Sequence, residues 1–157
     1  MKKYIYILLA GLSFLIGSNI SSDYNQFKNF RAIEDYDESL KMLFKIKNDT
    51  LVANYNIAEI YLNEYSNYTI ALDYFSIILD SLDRVSENKN ENLELYKKSL
   101  FMSSYICSNY LGMYTKGFNG YNSFLEQFPN DELSESAKYE LEILNSFEQS
   151  KNNLLKK

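Results

Sequence analysis

The thiol of Cys107 and the carboxylates of Glu34, Asp35, Asp37 and Glu38 are the side chains whose types could do chemistry, and neither set is arranged for it. No histidine occurs anywhere, which excludes His-based triads, most zinc sites and the commonest general base. Cys107 lies at helical spacing beside Ser103, Ser104 and Tyr110, the setting of a small packed residue, and a single cysteine forms no intramolecular disulfide. The acidic run, like the pair Asp131-Glu132, can be read as acid–base carboxylates or as acids at helix beginnings, where the helix dipole favours them. Their positions match the second reading. No glycine-rich phosphate loop and no calcium-loop spacing is present. Asn-x-Ser/Thr triplets beginning at Asn19, Asn48 and Asn67 are what chance supplies in so Asn-rich a chain. The residues therefore predict a protein that is not an enzyme and needs no metal or cofactor. A formal charge of -5, with no basic patch among aromatics, argues against a nucleic-acid partner.

The elements behind these residues announce themselves through tyrosine. Tyr36 is followed by Ser39, Leu40, Leu43 and Ile46; Tyr68 by Ala71, Leu72, Phe75 and Ile78; Tyr114 by Gly117, Phe118, Tyr121 and Phe124. Each set marks one face of an α-helix. The first member is small, which lets a neighbouring helix approach, and the others are large and, apart from the Tyr121 hydroxyl, apolar. Repetition of a helix with a fixed contact point is the mark of a helical repeat array. Composition agrees: one proline and five glycines in 157 residues suit long helices rather than a β-sandwich or barrel.

Each tyrosine-led helix has an upstream partner. Tyr24, Phe27, Phe30 and Ile33 precede the first, and Leu51, Tyr55, Ala58, Tyr61 and Leu62 the second. Leu100, Phe101, Ser104, Tyr105 and Ile106 precede the third. The breaks within pairs, Glu34-Asp35, Ser66-Asn67 and Gly112-Met113, are short enough to force antiparallel neighbours. Phe128-Pro129-Asn130-Asp131 stops the sixth helix, with Asn130 expected to cap the seventh and Asp131 and Glu132 in its first turn. Ala137, Leu141, Leu144 and Phe147 mark that helix's inner face, and its polar outer residues and Lys-rich end suit a terminal cap. The expectation is an all-α fold of three helix pairs and a capping helix.

From Tyr24 to Phe147 this layout resembles the tetratricopeptide repeat family, with Glu34-Asp35-Tyr36, Ser66-Asn67-Tyr68 and Gly112-Met113-Tyr114 at that family's turns. The unit from Tyr114 through Phe128-Pro129-Asn130-Asp131 to Ala137 is similar to repeats of periplasmic outer-membrane assembly lipoproteins and of the Tol–Pal-associated coordinator. The resemblance implies a right-handed superhelix of antiparallel helix pairs whose first helices line a concave groove. Its groove positions fall on Tyr24, Lys28 and Arg31, on Tyr55, Glu59 and Leu62, and on Met102, Ile106, Asn109 and Tyr110. The same residues equally suit plain stacking against the next repeat. Departures are an extra residue between Tyr61 and Tyr68, a polar insertion from Arg84 to Asn92, and Phe27 and Tyr105 where the family has a small residue.

Met1-Lys2-Lys3, an uncharged run from Tyr4 to Gly17, and the polar stretch Asn19 to Asp23 follow the order of a secretory signal. Residues 1–20 are therefore expected to be a signal peptide or an uncleaved membrane anchor, with the repeat domain over 22–155. The location implied is the periplasm, free or tethered to the inner membrane, with membrane contact only through that leader. The expected partner is a protein or peptide held in the groove, and the expected role is in envelope assembly or maintenance. The alternative is an anchored structural subunit using its convex face or last helix.

Overall fold

The computed structural model describes residues 22–48, 50–83 and 90–155, so the leader at 1–20 and residues 84–89 of the insertion Arg84 to Asn92 lie outside the described residues. Seven helices and no strand are found among them: α1 (Ser22–Ala32), α2 (Tyr36–Ile46), α3 (Leu51–Asn63), α4 (Tyr68–Asp83), α5 (Asn90–Asn109), α6 (Tyr114–Gln127) and α7 (Ser134–Leu155). The fold is all-α. None of these helices is long and apolar enough to cross a membrane. The chain divides into two compact units at Ile46 and Lys47, the first holding α1 and α2 and the second α3 to α7.

The turns explain why tyrosine marks each second helix. Glu34, Ser66 and Gly112, each two residues before the tyrosine, all have left-handed backbone, with φ of 59°, 52° and 64°. Such a residue ends a helix by turning the chain back on itself. Asp35, Asn67 and Met113 follow, and their carbonyls accept the first helical bonds, from the amides of Ser39, Ala71 and Gly117. Asp35 and Asn67 also cap with their side chains, taking the amides of Glu38 (3.1 Å) and Ile70 (3.2 Å). Met113 makes no such bond. Tyr36, Tyr68 and Tyr114 are thus each the first helical residue. Thr50 caps α3 in a related way, its hydroxyl accepting from the Val52 amide.

Within the second unit, the hairpins α3–α4 and α5–α6 repeat each other at a spacing of 46 positions, the distance from Tyr68 to Tyr114. Their turns are bonded identically. The amides of Glu64 and Tyr65 reach the Ile60 carbonyl and that of Asn67 reaches Tyr61. Likewise Tyr110 and Leu111 reach Ile106, and Met113 reaches Cys107. The cores match too. Tyr55 meets Phe75 edge-on at 5.4 Å, and Phe101 meets Tyr121 edge-on at 5.6 Å. This register corrects the expected alignment: Ser104, not Tyr105, is the counterpart of Ala58, so a small residue is present in the first helix of both hairpins. Gly117 and Gly120 of α6 face that residue closely. A Cβ on Gly117 would lie 2.8 Å from the Ser108 Cβ and 2.9 Å from the Ser104 carbonyl oxygen, and one on Gly120 would lie 3.1 Å from the Ser104 Cβ. Ser104 and Ser108 satisfy their hydroxyls along their own helix, Ser104 Oγ donating to the Leu100 carbonyl and Ser108 Oγ to the Ser104 carbonyl. Because numbering falls along α6 as it rises along α5, the pair is antiparallel.

Two boundaries differ from expectation. Helix α5 begins at Asn90, ten residues before Leu100, so the last three residues of the supposed polar loop are helical. Asn130 does not cap α7, which starts at Ser134. Asp131 organises that junction, its carboxylate accepting the Leu133 amide at 3.0 Å and pairing with Lys97 of α5 at 2.8 Å. Lys97 also pairs with Glu94 at 2.8 Å and lies over the Phe128 ring. Asn130 and Asp131 have side chains of equal reach, but only the carboxylate at 131 can accept an amide and pair with the Lys97 ammonium at once. The inner face of α7 carries Ala137 and Leu144 as read, while Phe147 is half exposed and rests on Tyr114 at 5.0 Å.

Candidate functional site

The ten groove residues are not one solvent-facing surface. In the first unit Tyr24 is buried, Lys28 is exposed with its ammonium 5.7 Å above the Tyr24 ring, and Arg31 is half-buried. In the second unit Tyr55, Glu59, Leu62, Met102 and Ile106 are all buried, Tyr55 at 2% exposure and Ile106 at 0%. Helix packing covers them: α3 and α5 each bury one side on the second helix of their own hairpin, and they touch each other. The 46-residue register adds a second reason. It pairs Tyr55 and Glu59 with Phe101 and Tyr105, so Met102 and Ile106 lie one position off the row that Tyr55 and Glu59 define. Only Lys28, Asn109 and Tyr110 of the ten are exposed.

Asn109 and Tyr110 belong to an aromatic surface at the turn end of the second unit. Tyr110, 42% exposed, stacks face to face on Tyr68 at 4.0 Å with their planes 6° apart, and Tyr105 meets it edge-on at 5.7 Å. The Asn109 amide donates to the Glu140 carboxylate of α7 at 3.1 Å. The Tyr105 phenol is pushed well above its ordinary value by burial, then by Tyr110 and the negative charge of Glu140. Tyr61 and Tyr65 pair at 5.7 Å along the neighbouring turn. Two turns, the last turn of α5 and the middle of α7 thus converge on one rim. Sequence reasoning used Tyr68 and Tyr114 only as repeat markers and missed Tyr68, Tyr105 and Glu140 as surface partners. The signal available was that a repeat's turn tyrosine and the residue just before the next turn return to the same end of a hairpin.

Cys107 is buried at 1% exposure, and burial holds its thiol above the usual value although Lys116 acts the other way. Among the described residues no group of three or more acids, histidines or cysteines is placed to hold a metal ion. No protein-family model matches this chain, and neither a curated protein nor a solved structure does.

Proposed function

We propose that this chain is an exported, non-enzymatic adaptor of tetratricopeptide type that holds a segment of a partner protein. The contact is the Tyr68–Tyr110 rim, and the segment carries an arginine or lysine beside an apolar residue. The observation that carries the reading is the stacked, half-exposed tyrosine pair beside the Glu140 carboxylate. Flat aromatic faces take a guanidinium or a ring at small entropic cost, and an adjacent acid selects the cation. The overall acidity of the chain, with a sequence pI near 4.8, favours the same partners. Residues 1–20 support export, and the repeated turn supports the repeat type.

A photo-crosslinking residue at Tyr110, incorporated in the cell of origin, tests the reading. The expected result is one discrete adduct that is lost on Glu140→Lys and retained on Asp73→Lys at an exposed site elsewhere. Adducts indifferent to Glu140→Lys, or a diffuse ladder, would refute it. Tyr110→Ala should weaken capture of that partner roughly thirtyfold, the usual cost of truncating a central aromatic anchor.

A further inference from the structure

Helix α7 repeats the first half of a hairpin, and no described residue supplies the second half. A shift of 38 positions carries the buried Leu95, Ser99 and Ile106 of α5 onto Leu133, Ala137 and Leu144, which are buried as well. Packing agrees with that shift: α7 lies against α6 and touches α5, as α5 lies against α4 and touches α3. The same shift carries the α5 face that meets α6, namely Phe101, Ser104, Tyr105 and Ser108, onto Tyr139, Glu142, Ile143 and Ser146. On α5 that face is covered. On α7 it is open, with Tyr139 54% and Ile143 41% exposed. Tyr139 therefore stands third in a row after Tyr55 and Phe101, each of which meets an aromatic ring of the following helix edge-on.

The geometry points to an amphipathic helix of a partner protein on this face, seated on α7 as α6 is seated on α5 and carrying a lysine or arginine opposite Glu142. The repeat supplies the shape of the occupant, since two of the second unit's three first helices are covered in one way. Charge supplies its chemistry. Glu142 stands where Ser104 stands, against the position held by Gly120 in α6. A carboxylate brought to a helix contact is costly unless a cation faces it. A second copy of the chain would bring another Glu142 towards this one, since Glu135 is already paired with Lys138 at 2.7 Å, and that like-charge contact disfavours self-pairing. The site is separate from the Tyr110 rim and does not depend on it.

The probe is a capped peptide with the α6 sequence Tyr114–Gln127, made with Gly120→Lys or with Gly120→Glu. Binding to the full 157-residue chain is followed by fluorescence anisotropy, with circular dichroism to check that each variant keeps its helices. The lysine peptide should bind at least about tenfold tighter than the glutamate peptide, in the range of one close charge contact. Glu142→Lys in the protein should reverse that order. Ile143→Ser should weaken both peptides roughly thirtyfold, and Tyr110→Ala should change neither. A charge preference untouched by Glu142→Lys, or no binding of either peptide, overturns the proposal. So does dimerisation abolished by Ile143→Ser in sedimentation, which would give the face to a second copy.

Discussion

Tyr121 shows how one atom separates two otherwise matching sites. It occupies in α6 the place that Phe75 occupies in α4, fully buried, with its hydroxyl carried into the contact near Ser108. Burial pushes its phenol far above the ordinary value, with Glu140 adding to the shift. Lys97 is also raised: burial alone would lower it, but its bonds to Asp131 and Glu94 outweigh that. Both groups hold their proton more tightly in the folded chain. Their stabilisation is therefore complete below about pH 10 and is lost as pH rises through the folded values. Denaturant melts should be level from neutrality to about pH 8, decline first as the buried Cys107 thiol resists ionisation, and fall steeply above pH 10 as Tyr105 and Tyr121 do, Tyr121 contributing at most about 1.4 kcal/mol per pH unit. Tyr121→Phe should make that fall shallower while changing neutral-pH stability by less than about 1.5 kcal/mol, because Phe75 already fills the equivalent site. An unchanged alkaline slope would show that the phenol is wet. The family resemblance placed Tyr55 and Met102 in a groove, and their large side chains suited one. Periodicity identifies an apolar face but not which neighbour covers it, and a tyrosine suits core and surface equally. The rim around Tyr110 was half legible for the same reason, with Glu140 hidden because it comes from a distant helix.

At the scale of the element, the turns were the most legible part of the chain. Short breaks before Tyr36, Tyr68 and Tyr114 fixed three hairpins, since a turn of so few residues permits one packing direction. What the residues did not display was the left-handed step, because Glu34 and Ser66 stand where glycine is the unstrained choice. Ser66→Gly should accordingly stabilise the chain by about 0.5–1 kcal/mol, and Gly112→Ser should cost about 1 kcal/mol. Met113→Asp should add roughly 0.5–1 kcal/mol by supplying the amide acceptor that Asp35 and Asn67 provide in their turns. Thermal melts of the three variants check this, and equal effects of Ser66→Gly and Gly112→Ser would contradict the shared turn. The α7 boundary was misread because Asn130 and Asp131 are both capping types, and only the contact with Lys97 decides between them. The first ten residues of α5 escaped notice because Asn90-Glu91-Asn92 opens it with polar side chains and Leu93 is exposed.

At the scale of the molecule, helices in the second unit pack mainly on their neighbours in sequence, so damage there should stay local and fade with distance. Gly117→Ala forces the Ser108 Cβ and the Ser104 carbonyl apart and should cost about 1–3 kcal/mol, less the roughly 1 kcal/mol that alanine gains in helix propensity. Native-state hydrogen exchange should then show the largest loss of protection in α5 and α6, a smaller one in α4 and α7, and the least in α3. A uniform loss would indicate one indivisible core. The 46-residue equivalence has a further consequence, at the level of the gene. Tyr61 and Cys107 occupy the same step of successive hairpins, so an unequal crossover joining codon 61 to codon 108 removes one whole hairpin. The reciprocal product gains one. Either product keeps a left-handed turn residue, a leading tyrosine and a small residue facing a small residue, so hairpin number can change in one recombination event while each interface stays intact.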